Sequence, residues 1–397
     1  MGNSLVTIDM VTREALRIAH EKSQFIATTD RQYDDSYGKT GAKNGSTLRV
    51  RLANQYNRRQ GSRVMDVQDQ SEATSTITVA TQDGVDMRFN SAELALSIDD
   101  LSKRYIEPAV STLVSGIEAD YLAFATKSTY QLAGAAGTAI TSLSVPGAAR
   151  AKLNQQLAPK DGNRSIQMES VAMGTLVNGV AAYFAPNGDI SKQYKEGLIA
   201  RTAMADYYEN ERTWTMPNSA DVAGEINAGT LTSGITSLTV DGLTAAPVAG
   251  MVFTVESIYD VHPETKAAYS HLKQFVVGSG STTTNLVFSP AMIYDTTNAK
   301  RNCSGTPVDN ADIVFVGSAS TNYVQHLMYH KEAFQFVTAD LPIMDDAHKC
   351  VRRTQDGLSL RVWQASDIRN DELLMRIDIL YGMAALRPEW ACRMIGS

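Results

Sequence analysis

Between Asp221 and Ser320 the chain loses helical periodicity altogether. The runs ITSLTV, MVFTVESIYDV, LKQFVV, TNLVFSP and DIVFV alternate apolar with polar residues, and turn residues separate them at short intervals. Short period-two runs split by turns are the pattern of a small barrel or sandwich. On either side, helical and strand patterns mix. The 397 residues therefore read as an α+β body interrupted by an inserted all-β module, residues 221–320. The body must resume after the interruption.

Ahead of the insertion, residues 9–26 predict an amphipathic helix with Val11, Ala15, Ile18, Ala19 and Phe25 on one stripe. No nearby segment offers itself as a partner, and residues 27–46 lose all periodicity. A helix on a polar tether suggests an arm that packs against something distant, or on another chain. Residues 47–90 read as a long two-stranded excursion. Leu48, Val50 and Leu52 alternate with polar residues, as do Ile77 and Val79. The polar stretch between carries Arg58, Arg59 and Arg63, followed by Asp66, Asp69 and Glu72. So long and polar a hairpin cannot bury both faces within its own domain.

A capped start at Asp99 or Asp100 and the pair Glu107-Pro108 then lead into a long helix. Ile106, Val110, Leu113, Ile117, Tyr121 and Phe124 form its stripe. Residues 147–218 read as mixed α/β, with a helix near 148–158. After the insertion, SASTNYVQHLMYHKEAFQFVTADLPI reads as a short helix and a strand. GLSLRVWQASDI and ELLMRIDILYGMAALRP read as two strands paired through DIRND, with Arg387-Pro388 ending the second. That strand is expected to close a sheet begun much earlier.

Candidate chemistry is thin. Gly38-Lys39-Thr40 ends like a P-loop, but Tyr33 stands where the first glycine belongs and no apolar strand precedes it. A metal candidate is His326 and His330, four apart on the segment read as a helix, with Asp345, Asp346 and His348 downstream. A zincin needs Glu beside the first histidine, and Leu327 is there. Cys303, Cys350 and Cys392 are odd in number and not in metal spacing, so they read as idle thiols in a reducing compartment. Asp34-Asp35, Asp99-Asp100 and Asp345-Asp346 are adjacent rather than converging, and Tyr207-Tyr208 and Trp214 read as packing. A net charge of −7 argues against a protein whose task is to grip phosphates, and makes Arg58, Arg59, Arg63 and Asp66 a protein–protein contact region. Thr12-Arg13-Glu14 breaks the first apolar run and no window is long enough to span a membrane, so the chain is expected to be soluble and not exported.

Several stretches, in this order, resemble one family. RIDILYGMAALRPEWA is similar to the closing strand of the major capsid proteins of tailed bacteriophages. NYVQHLMYHKEAFQFVTADLPI resembles the segment on which those coats rejoin their core sheet. SIDDLSKRYIEPAV resembles the start of their spine helix, and ISKQYKEGLIARTAMADYYENERTWTMPN their axial-domain segment. GMVFTVESIYDVHPETKAAYSHLKQFVV resembles the inserted β-barrel of the coats of short-tailed phages. The resemblance implies an α+β capsid fold with an N-terminal arm at 1–37, an extended hairpin loop at 38–90 and a peripheral domain with the spine helix at 91–146. It further implies an axial domain at 147–220, the barrel at 221–320 and a return to the core at 321–397. The implied function is structural and not enzymatic, without cofactor or metal. Copies would form the hexamers and pentamers of an icosahedral shell, procapsid first, around double-stranded DNA contacted non-specifically. A scaffolding protein and a portal are the implied partners, with assembly in the host cytoplasm and no membrane. The rival readings are a monomeric β-rich binding or decoration protein and a metal-dependent hydrolase.

Overall fold

The computed structural model describes residues 8–31, 47–51, 53–58, 61, 74–90, 105–180, 205–227, 229, 231–344, 349–355 and 357–396. The chain divides into two compact units. One comprises Met1–Val50, Ser75–Tyr121 and Phe334–Leu386; the other comprises Arg51–Thr74, Leu122–Ala333 and Arg387–Ser397.

In the first unit, helix α1 (Ile8–Lys22) buries Val11, Ala15, Leu16, Ile18 and Ala19. Its outer face carries Arg17 between Glu14 and Glu21, each 2.7 Å away. A one-turn helix, α2 (Phe25–Thr28), follows. Strands β1 (Thr47–Arg51) and β2 (Thr74–Thr78) pair as a two-stranded sheet. Strand β3 (Thr81–Asn90) comes next, then the long helix α3 (Glu107–Ser128), which belongs to this unit as far as Tyr121. The expected stripe of α3 is buried from Ile106 to Tyr121.

The main sheet of this unit runs β15 (Phe334–Ala339), β18 (Glu372–Ala385), β17 (Leu358–Asp367), β16 (Lys349–Gln355), and β3 also pairs with β18. Strand β18 is thus its hub, antiparallel to β3 over ten residues, to β17 from Glu372 to Asp378 and to β15 from Leu380 to Ala385. Ile377 and Tyr381 are buried on one face, Asp378 and Leu380 on the other. The buried Asp378 is met by Arg361 at 2.6 Å, and Gly84 lies opposite it in β3. A Cβ on Gly84 would fall 2.5 Å from the Asp378 carboxylate, which explains a glycine in mid-strand.

Helix α1 lies against β16 and β17. Its partner is therefore this chain's own C-terminal third, the distant one of the two expected alternatives. An aromatic chain stitches the core: Phe25 to Tyr121 at 4.6 Å, Tyr121 to Phe336 at 5.3 Å, and Phe336 to Tyr381 at 5.4 Å.

The second unit takes α3 from Leu122 onward and adds β4 (Leu132–Ala133), α4 (Ser144–Gln155), β5 (Arg164–Met168), α5 (Ser170–Val180), β6 (Asp206–Glu209) and β7 (Thr215–Pro217). Six strands then close a barrel: β8 (Ala223–Ile226), β9 (Ile235–Asp241), β10 (Val252–Val261), β11 (Ala268–Val277), β12 (Asn285–Met292) and β13 (Asp312–Phe315). Its centre is Phe253, with Phe275, Phe288 and Phe315 at 5.5, 5.8 and 5.6 Å. This core continues into Leu132, Met216, Tyr323 and Ile395 of the surrounding body.

The body resumes with β14 (Asn322–His330), a strand and not the short helix that the sequence predicts there. From Gln325 to His330 every residue is buried, so the segment lacks the alternation that marks a strand with one wet face. Nor is β18 the last strand. After Arg387, a 3-10 turn (Pro388–Trp390) leads to β19 (Ala391–Ile395), buried throughout. The sheet order is β4-β19-β14-β5-β6, with β7 on β14, so the final strand is interior to this sheet. It packs with Ala149 and Leu153 of α4 and Met173 and Leu176 of α5 in one cluster.

Candidate functional site

His326 and His330 lie on strand β14 and not on a helix, which separates them as a metal pair. On a strand, residues four apart share a face but stand about 13 Å from each other. His330 Nε2 contacts the Asp161 carboxylate at 3.0 Å, and its ring meets Trp390 edge-on at 5.5 Å. His326 is buried and accepts the Glu169 N–H at Nδ1, 3.4 Å away. Burial pushes its pKa down to about 4, favouring the neutral ring. Asp345, Asp346 and His348 lie outside the described residues. Among the described residues no group of three His, Cys, Asp or Glu side chains is placed to hold a metal ion. Burial raises both the Cys303 and Cys392 thiols to about 12, so these are protonated packing groups.

Of the four residues singled out for contacts, Arg58 is exposed on the stretch 53–58, which has no regular secondary structure. Arg59, Arg63 and Asp66 lie outside the described residues, as do Asp34, Asp35, Asp99 and Asp100. Beside Arg58, Asn57 donates to the Thr297 carbonyl in the loop after β12, at 2.8 Å. The stretch 53–58 thus touches the loop after β12 of its own chain.

The most elaborate polar constellation was not singled out in the sequence. Strand β10 supplies Asp260, in phase with the buried Ile258, and β11 supplies Lys273, in phase with Phe275 and Val277. Asp260 Oδ1 takes the Lys273 ammonium at 2.8 Å and Oδ2 takes the Gln156 amide of the body at 2.9 Å. His271 Nε2 stands 3.6 Å away. Burial works to raise the Asp260 carboxyl, but His271 and Lys273 outweigh it and hold its pKa below the ordinary value. Lys273 also lies 4.7 Å above the Tyr130 ring.

Further bonds tie the barrel to the body. Gln274 accepts the Leu132 N–H at 2.9 Å and also contacts Lys152, and Tyr269 donates to the Gln155 carbonyl at 3.2 Å. From the other side, the fully buried Arg393 of β19 donates to the Gly250 carbonyl at 2.5 Å and faces Trp214 at 5.9 Å. Asp260, Lys273, Gln156 and Gln274 are matched across the boundary, so they fix the barrel's orientation on the body, while Arg393 keeps Nε and Nη2 buried without a hydrogen-bond partner. A lysine in phase with core aromatics was the available sequence signal.

Residues 213–396, from just before β7 through β19, match the family described as P22 coat protein, gene protein 5. No curated protein sequence matches the chain. Among solved structures the chain is similar to one described as Mycobacterium phage Che8, with TM-score 0.51 and 10% identity over 94% of this chain and 90% of that one. Two others are the capsid of Ralstonia phage GP4, at TM-score 0.48 and 7% identity over 93% and 87%, and that of Cyanophage P-SCSP1u, at 0.44 and 11% over 90% and 84%.

Proposed function

We propose that the chain is a tailed-phage major capsid protein whose copies close into an icosahedral shell, first as a procapsid and then as the mature head around packaged double-stranded DNA. One observation carries this reading: the coat-family match takes in both the closed barrel and the terminal strand β19 that the body needs. The segments then take the roles that the resemblance implies. Residues 1–37 form the arm, 38–90 the extended hairpin, 91–146 the peripheral part with its spine helix, 147–220 and 321–397 the axial part and its return, and 221–320 the insertion.

Hexamers and pentamers are the assembly units, a scaffolding protein and a portal the partners, and the host cytoplasm the place of assembly. The subunit carries no catalysis of its own; its polar networks spend their hydrogen bonds on internal contacts. A net charge of −7 suits a wall that lies beside DNA without fixing it in place.

Co-expression with the neighbouring scaffold and portal genes, followed by electron microscopy, tests the proposal. Hollow particles tens of nanometres across are expected. A uniform monomer that adds to a pre-formed head would instead support the decoration reading, and a metal-dependent hydrolytic activity would support an enzyme.

A further inference from the structure

We draw no further inference here: the strongest candidate, the apolar groove of about 370 Å³ that Trp363, Ala365 and Leu374 line on the sheet formed by β17, β18 and β3, carries nothing because no observation in the structure shows what covers it.

Discussion

Glu118 shows how much one side chain can organise. It is fully buried on α3, and its Oε1 accepts the backbone N–H groups of Gln24, Phe25 and Ile26 at 2.5, 2.8 and 3.4 Å. These are donors that the start of α2 cannot satisfy for itself. Replacing Glu118 with Ala leaves them buried without an acceptor, so a loss of about 3 kcal/mol in denaturant unfolding is expected, and Glu118→Gln, which keeps an oxygen there, should cost clearly less. Equal losses would mean that packing, not acceptance, is what Glu118 supplies. His326 makes a pH prediction at the same scale. Its folded pKa, about 4, lies below the ordinary 6.5, so the unfolded chain binds the extra proton first. Stability from the neutral ring is complete above pH 6.5 and is lost as pH falls toward 4, by on the order of 3 kcal/mol in all. Stability measured against pH should flatten over that window in His326→Phe if the folded variant accommodates the ring. An unchanged slope would remove His326 as its source.

At the scale of elements, the decisive contact is that between barrel and body. Lys273 is only 2% exposed, and Asp260 is its sole ion-pair partner among the contacts described. Asp260→Ala should therefore destabilise the second unit by about 3–5 kcal/mol, and adding Lys273→Met should recover much of that, because an unpaired buried charge costs more than no charge. A double variant no better than the single one would show that the pair specifies the docked geometry in addition to balancing charge. The barrel segment 221–320 is also expected to fold alone, on its phenylalanine centre, but to melt well below the intact chain without Met216, Tyr323 and Ile395. Poor amide dispersion in its NMR spectrum would count against that. The same elements show what the sequence could disclose. The barrel was legible because each strand has one dry face, and α3 because its stripe repeats over many turns. Strand β14 was not, since a run buried on both faces has no period. Strand β19 hid behind Arg387-Pro388, being five residues long with an arginine at its centre. The Asp260–Lys273 pair depends on two strands meeting in register, which spacing alone does not reveal.

At the scale of the whole molecule, the question is what the hairpin does in a shell. Arg58 is exposed in the isolated chain, and the segment beside it is held through Asn57 and Thr297. If Arg58, Arg59 and Arg63 meet acids of a neighbouring copy, their charge governs assembly and leaves folding untouched. Each exposed pair contributes only ~0.2–1 kcal/mol, yet shell symmetry repeats the contact in every subunit, and closure multiplies a small penalty. Reversing all three to Glu should leave the circular dichroism spectrum and melting temperature of the unassembled subunit unchanged. Electron microscopy should then find few or malformed shells, and raising the salt concentration should narrow the gap to the parent by screening the repulsion. Normal shells at normal yield would strip these arginines of an assembly role without touching the capsid assignment. Loss of folding in the free subunit would place the hairpin in its own core and end the neighbour-spanning interpretation.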